Sequence, residues 1–212
     1  IYPLIIMKEE NISEITPVSL VSNLVRGMPS AKGKAYQLPP DQPSYQAKEN
    51  AINNLMEKIE KLDNYLVGIG YIESLQDSRE RQRAESREGE FNALVANLDL
   101  CEVLEKSGAC GEIAHQPFDE NGSIVDIDSE EFPDLRKLRK CFLCLSLTTL
   151  KNRAAVPGVN VVAIGGGYNK VKAIHAALKG KFFNALITDA VVADTILRLE
   201  RKRSNRLREV NA

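Results

Sequence analysis

The sequence predicts an α/β fold with a mainly parallel sheet flanked by helices. Residues 159–164 form a continuous apolar run, which is typical of a parallel strand covered on both faces. Three glycines at 165–167 end this run, and a helical pattern over 169–179 and a short strand over 185–187 follow. A strand, a glycine turn, a helix and a second strand make a βαβ unit, whose crossover is right-handed in nearly all proteins.

The last third of the chain carries two predicted helices. The first covers 169–179 and is closed by a glycine, and the second begins at about residue 190. In the first helix Val171, Ile174 and Leu178 are expected to face inward. In the second helix the corresponding apolar positions are Val191, Ile196 and Leu199.

Weaker patterns predict the elements before residue 150. Residues 46–62 and 92–106 have the apolar spacing of amphipathic helices, and a short buried strand is expected at 65–67. A turn at 118–122 before an apolar stretch indicates a hairpin. The apolar segment 141–149 predicts either a strand or a buried turn.

Composition limits the class of protein. The chain has 212 residues with 28 basic and 29 acidic side chains, so its net charge of -1 exerts no broad attraction on nucleic acid or anionic lipid. No stretch reaches the roughly 20 apolar residues of a membrane span. We expect one domain over 1–212, with a solvated, mixed-charge helix or loop at 77–90 and a basic tail at 200–212.

The four cysteines do not predict a disulfide scaffold or a metal site. In so long a chain they are expected to be reduced, as in a cytoplasmic protein. The Cys141-x-x-Cys144 pair lacks the second pair that a zinc site needs, and Cys101, Cys110, His115 and His175 are scattered. His175 is expected to be a packed or partly exposed helix residue. We therefore predict no metal and no cofactor.

Three turns follow predicted strands, at 68–70, 165–167 and 188–189. Ligands of an open parallel sheet lie beyond the carboxyl ends of its strands. Glycines without Cβ atoms let several N–H groups approach one anion, and Lys170 stands where a charge-assisted hydrogen bond can be added. The pattern suits a phosphate, although it is neither G-x-x-x-x-G-K-[ST] nor G-x-G-x-x-G. The alternative is a tight strand-to-helix connection beside a solvated lysine.

Polar residues near these turns each have two interpretations. Glu112 can accept hydrogen bonds from sugar hydroxyls or be an ordinary exposed carboxylate. Asp189 can line a pocket or cap the following helix through its side-chain oxygen, and Thr188 can be structural. His115 is a minor candidate for the site.

The chain resembles the SorC-type (SorC/DeoR-like) sugar-binding effector domain of bacterial transcriptional regulators. The resemblance is strongest in VVAIGGGYNKVKAIHAALKGKFFNALITDAVVADTIL, residues 161–197. This run has the family pattern of a strand, a Gly-Gly-x-x-Lys turn, a helix with Ala-Leu-x-Gly, and a strand ending in Thr-Asp. Similar family segments precede it in the right order, at 37–44, 66–72 and 108–125.

The resemblance implies a domain related in fold to sugar-phosphate isomerases and deaminases that acts as a sensor. A phosphorylated sugar or sugar-like metabolite is expected at the strand ends, where it changes the affinity of an attached helix-turn-helix domain for operator DNA. The implied residues are Glu112 for ligand hydroxyls, Lys170 for the phosphate end, Gly68, Gly70, Gly165 and Gly166 for the pocket shape, Thr188 and Asp189 for its floor, and 39–42 for one wall. The resemblance also implies a homodimer or homotetramer.

This sequence departs from the family pattern in several places. No helix-turn-helix precedes residue 1 and the family's first strand with its phosphate loop is not recognised, so the chain is expected to be a fragment. Val192 stands where the family usually has Thr. Two alternatives to a sensor stay open. One is a sugar-phosphate isomerase or deaminase with Glu112 and His115 as its acid–base pair, and the other is a degenerate oligomerisation module.

Overall fold

The computed structural model describes residues 5–7, 56–72 and 90–210. The strands in these residues are β1 Ile5–Met7, β2 Asn64–Gly68, β3 Gly70–Tyr71, β4 Ala109–Ile113, β5 Gln116–Asp119, β6 Phe142–Cys144, β7 Asn160–Ile164 and β8 Ala185–Ile187. The α-helices are α1 Glu90–Asn97, α2 Cys101–Lys106, α3 Arg136–Cys141, α4 Leu147–Ala154, α5 Val171–Gly180 and α6 Ala190–Val210. Short 3-10 turns cover Pro133–Leu135 and Tyr168–Lys170.

The parallel sheet predicted from the βαβ unit is confirmed. It has three strands in the order β2-β7-β8 in the described part of the chain. Its register pairs Gly68 with Ile164 and Ile164 with Ile187, so the three strands end side by side. Two antiparallel sheets accompany it, β3-β4-β5 and the pair β1-β6. The sequence indicated only the hairpin-like contact at their edge, where Phe118 bridges Ile124.

One face of the parallel sheet packs into the main core. Tyr65, Val67, Val161 and Ala163 point to this face and are buried beside residues of α5. Burying each large apolar side chain stabilises the fold by about 1.5–3 kcal/mol. The prediction that the 159–164 strand is covered on both faces is wrong, because alternate side chains such as Ile164 are exposed to 42%.

The two C-terminal helices follow the predicted pattern only in part. Val171 and Ile174 of α5 are buried as expected, whereas Leu178 is 38% exposed. In α6 the buried positions are Val192 and Ile196, and Val191 faces outward. The prediction for α6 is therefore confirmed at Ile196 and wrong at Val191 and at Leu199, which is 41% exposed.

The prediction of one continuous helix over 92–106 is wrong. The structure divides it into α1 and α2, and Asp99 between them has a positive φ of 56°. Aspartate tolerates this left-handed conformation better than most residues, so the chain turns there without a glycine. Residues Leu94, Leu100 and Leu104 on both sides of the break pack in one satellite core.

The remaining predictions before residue 150 have mixed outcomes. The helix expected at 46–62 is helical at 56–59, and its earlier part lies outside the described residues. The charged stretch 77–90 lies outside them except for its last residue, and the loop 39–42 lies wholly outside. Segment 141–149 forms β6 and the start of α4, so its strand interpretation is confirmed for 142–144.

Candidate functional site

The strand ends bring most of the predicted site residues to one edge. Because β2, β7 and β8 end in register, Gly68, Gly165 and Thr188 stand at or just beyond three adjacent carboxyl ends. Gly70 continues from this edge into β3 and pairs with Glu112 of β4. The three turns therefore lie along one edge of the sheet, and their use as a ligand site stays a prediction.

Glu112 lies over the backbone of Gly70. A Cβ atom at residue 70 would overlap the Glu112 carboxylate, so a larger residue there would displace the Glu112 side chain. The Glu112 Oε2 atom accepts the backbone N–H of His115 at 2.7 Å, and the side chain is only 12% exposed. The alternative of an ordinary exposed carboxylate is wrong. Glu112 instead closes the tight turn between β4 and β5.

That turn consists of Ala114 and His115, which both have positive φ angles, 52° and 60°. Such a pair matches the twist of a two-residue hairpin, but neither residue type signals it in the sequence. The His115 ring stacks on Phe91, with ring centroids 5.7 Å apart and an interplanar angle of 13°. Burial lowers the pKa of His115 to about 4, so the imidazole is neutral at pH 7.

The glycine turn after β7 uses two of its amides within the protein. Gly165 N–H donates to the Ile187 carbonyl at 3.1 Å, and Gly167 N–H donates to Asp189 Oδ2 at 2.7 Å. Gly167 has a φ of 94°, a conformation that suits glycine. The predicted cradle of free amides is therefore partly filled by the protein's own acceptors. The Gly166 amide belongs to an exposed residue at the same turn.

Asp189 has the capping role that the sequence allowed, and its place in a ligand pocket stays a prediction. Its Oδ1 atom accepts the N–H of Val192 at 2.9 Å, which confirms the helix cap at the start of α6. The residue is also exposed at the strand edge. The hydrogen bond from Gly167, followed by that from Val192, lowers the pKa of the Asp189 carboxyl, so it is ionised at pH 7.

Lys170 lies in the 3-10 turn that leads into α5. Its backbone N–H donates to the Gly167 carbonyl at 3.0 Å, and the turn packs against β3 and α6. Within the residues that the structure describes, its ammonium group makes no ion pair and no hydrogen bond. A half-buried lysine without an internal counter-ion is available to an anionic ligand at this edge.

Thr188 contributes differently from the expectation of a pocket floor. Its Oγ1 atom is enclosed by protein and has no hydrogen-bond partner among the described residues. An unpaired buried hydroxyl is unfavourable by about 1–3 kcal/mol, so the position is not explained by stability alone.

The histidines and cysteines show no metal chemistry in the described ranges. No group of three or more potential metal ligands occurs among residues 5–7, 56–72 and 90–210. Burial raises the pKa of the Cys110 thiol to about 11, which leaves it protonated and unreactive. His175 is partly exposed as predicted, and its Nε2 lies 2.6 Å from Glu200 Oε1, which links α5 to α6.

The structure defines an α/β domain in which three parallel strands end at one edge, the place where open parallel sheets commonly bind their ligands. A family model described as "Putative sugar-binding domain" matches residues 40–198. The chain belongs to this family of sugar-binding domains. The resemblance seen in the sequence is thereby confirmed.

The chain is similar to several transcriptional regulators. It is 30% identical over 151 residues to the transcriptional regulator LsrR of Escherichia coli O9:H4 (strain HS), which covers 71% of this chain and 40% of that protein. LsrR of Klebsiella pneumoniae subsp. pneumoniae is 29% identical over 152 residues, covering 72% of this chain and again 40% of the relative. The chain thus spans about 40% of the length of the curated relatives that it matches.

Solved structures of low sequence identity share the fold. A transcriptional regulator from Streptococcus pneumoniae TIGR4 has a TM-score of 0.62 at 22% identity, covering 94% of this chain and 68% of that one. The full-length sorbitol operon regulator SorC from Klebsiella pneumoniae has a TM-score of 0.59 at 19% identity, covering 92% of this chain and 57% of that one.

In the described part of this chain, no helix has the length and apolar character required to cross a bilayer.

Proposed function

We propose that this chain is the effector-binding domain of a bacterial DNA-binding transcriptional regulator, in which it binds a sugar or sugar phosphate without turning it over. One observation carries the proposal: at the edge where three parallel strands end, Lys170 has no counter-ion among the residues that the structure describes. Family membership and the regulators among the relatives support the same conclusion. We propose that residues 1–212 act as one cytoplasmic domain.

The edge offers the two kinds of group that a phosphorylated sugar needs. The Glu112 carboxylate is oriented by its own turn and provides acceptors for hydroxyl hydrogens. Lys170 provides the positive charge for a phosphate or another anionic end. At Gly68 a Cβ atom would meet none of the described residues within 4 Å, so these residues leave space for a ligand beside the strand end.

Signalling requires a second domain. We propose that an attached helix-turn-helix domain reads the bound state, because the LsrR and SorC relatives are named as regulators. A coupling free energy of about 1–3 kcal/mol would change operator affinity by roughly 5–150-fold. The partners of the whole protein are then operator DNA, a sugar-like metabolite and further copies of the chain as a homodimer or homotetramer.

The enzyme alternative depends on Glu112 and His115 as an acid–base pair. Their atoms Oε2 and Nδ1 are 3.9 Å apart, but Glu112 accepts a hydrogen bond from the turn and His115 is stacked on Phe91. A histidine with a pKa of about 4 transfers protons poorly at pH 7. These contacts argue against proton transfer between the two residues, and therefore favour binding over catalysis.

Replacing Lys170 with alanine is expected to abolish ligand-induced thermal stabilisation. A panel of phosphorylated pentoses and hexoses should include one that raises the melting temperature of the wild type, since a ligand at 100 times its Kd adds about 2.7 kcal/mol. The Lys170→Ala variant should lose this shift and keep the melting temperature of the unliganded protein, because its ammonium group has no partner among the described residues.

Lys172 provides the matched control for this measurement. It lies two residues further along, on α5, and its exposed ammonium pairs with Glu120 at 3.3 Å. Lys172→Ala removes a positive charge only two residues away, from the first turn of α5, and should retain the full ligand shift. A shift that survives Lys170→Ala, or that disappears equally in Lys172→Ala, would contradict the proposed site.

A further inference from the structure

The carboxylate of Asp189 connects two loops at the ligand edge. One oxygen accepts the N–H of Gly167 in the turn after β7, and the other accepts the N–H of Val192 in the first turn of α6. The two donors are 25 positions apart in the sequence and belong to successive strand-to-helix connections. A single side chain therefore fixes the position of both loops.

This carboxylate occupies the place that an anion would take at the glycine turn. Its Oδ2 atom lies 2.7 Å from the Gly167 amide nitrogen. A Cβ atom on Gly166 would be 2.9 Å from the same oxygen, so the carboxylate lies directly against the backbone of the turn. A phosphate approaching these glycines would meet a negative charge and an amide that is already bonded.

We propose that Asp189 is a specificity-determining residue that excludes anionic groups from the glycine turn and directs uncharged ligand hydroxyls to it. The proposal rests on the proposed function and refines the class of ligand. The anionic end of the ligand then lies at Lys170, and the end near Gly166 carries hydroxyl groups. The ligand is a polyol or sugar with one charged end, rather than a metabolite that places phosphate on the triple glycine.

The chemistry of the carboxylate supports this division. An ionised carboxylate has about four lone-pair sites and accepts without donating. Each Asp189 oxygen uses one site on a backbone N–H, so acceptor capacity remains on an exposed side chain. Hydroxyl groups can donate to the free sites without adding charge, whereas an ionised phosphate brings a negative charge against the carboxylate. Two negative charges about 4 Å apart repel each other even in water, so a phosphate close to the Asp189 carboxylate is disfavoured.

The test compares inorganic phosphate binding to the full chain and its Asp189→Asn variant by titration calorimetry at low ionic strength. Asparagine retains a good cap for α6 and loses the charge, and its single carbonyl oxygen leaves one of the two N–H donors free. We expect Asp189→Asn to bind phosphate about tenfold more tightly than the wild type, because a repulsive charge is removed and an amide is released. Unchanged or weaker phosphate binding by the variant would overturn the proposal.

Two further variants separate charge from folding. Asp189→Ser also keeps a capping oxygen without charge, and it should tighten phosphate binding in the same direction. Asp194→Asn removes an exposed carboxylate from the same helix, where it pairs with Arg198 at 2.8 Å, and should leave phosphate binding unchanged. An equal gain in Asp194→Asn would show a general charge effect and overturn the role of Asp189.

Sugar phosphates distinguish this inference from the proposed function. If no pentose or hexose phosphate binds the wild type while Asp189→Asn still gains affinity for inorganic phosphate, the proposed function fails and the charge exclusion stands. If a sugar phosphate binds the wild type through Lys170 and Asp189→Asn gains nothing for inorganic phosphate, the proposed function stands and the charge exclusion fails.

Discussion

Replacing Gly122 with alanine is expected to destabilise the domain by roughly 2–5 kcal/mol, the sum of a left-handed backbone penalty and a forced displacement of packed backbone. Gly122 has a φ of 79°. A Cβ atom there would be 2.6 Å from the Gly180 Cα and 2.7 Å from the Ala176 carbonyl oxygen. Both contacts are with the backbone of α5, which cannot rotate away as a side chain can. Urea unfolding measures the change in the free energy of unfolding.

Gly158→Ala is the matched control. Gly158 has a similar φ of 83°, but a Cβ atom there would meet nothing within 4 Å. Only the backbone penalty of about 1–2 kcal/mol should apply. Equal losses in the two variants would show that the contact between Gly122 and α5 contributes little.

The Gly122 contact also matters for the ligand edge. The loop that contains it holds the C-terminal half of α5, where the Lys179 Nζ atom donates to the Glu120 carbonyl at 2.9 Å. The opposite end of the same helix follows Lys170 directly. A displaced α5 would therefore move the ammonium group on which the proposed function depends.

The free energy of unfolding is expected to fall by up to about 3 kcal/mol between roughly pH 6.5 and pH 4, because the His115 pKa differs by about 2.5 units between the two states. Burial lowers this pKa to about 4 in the folded protein, so the folded state resists protonation. In the unfolded chain the imidazole has its ordinary pKa and binds the proton. Stability is therefore complete above the unfolded pKa and is lost as the pH decreases towards the folded one.

His115→Asn should remove this part of the pH dependence. Asparagine tolerates the φ of 60° at residue 115 and has no titratable group. The carboxyls of Asp189 and Glu200 have lowered pKa values, so their contributions are lost only at more acidic pH, as it falls through their folded values. Urea unfolding at a series of pH values separates the pH range in which His115 contributes from the more acidic range of the carboxyls. A wild-type curve that is flat from pH 6.5 to 4 would contradict the neutral, buried histidine.

The sequence predicted the elements whose burial repeats regularly and missed those set by single backbone conformations. Val161 and Ala163 in the strand and Val171 and Ile174 in the helix are buried as their spacing indicates. Apolar spacing continues across Leu98 and Leu100, so it could not reveal the reversal at Asp99. The turn at Ala114 and His115 likewise contains no glycine or asparagine. In both places the tertiary structure determines a conformation that local preference does not indicate.

The site was predictable to the level of its edge. The carboxyl ends of neighbouring parallel strands lie at the same edge of a sheet, so the sequence alone predicts that Gly68, Gly165 and Thr188 are close together. The register of the three strands agrees with this. The bond from Gly167 to Asp189 and the contact of Glu112 with Gly70 depend on which strands are neighbours. Sequence spacing carries no signal for such pairs, so the partial filling of the glycine turn emerged only from the structure.

Amide chemical shifts measured during titration with the stabilising sugar phosphate test the central claim most directly, which is that a ligand binds at the carboxyl edge of the parallel sheet. The largest changes should occur at Gly68, Gly166 and Tyr168, which lie at the ends of β2 and β7 and in the following turn. Asn64 and Asn160, at the opposite ends of the same strands, should change little. Changes centred on Asn64 and Asn160, with none at the glycines, would contradict the account.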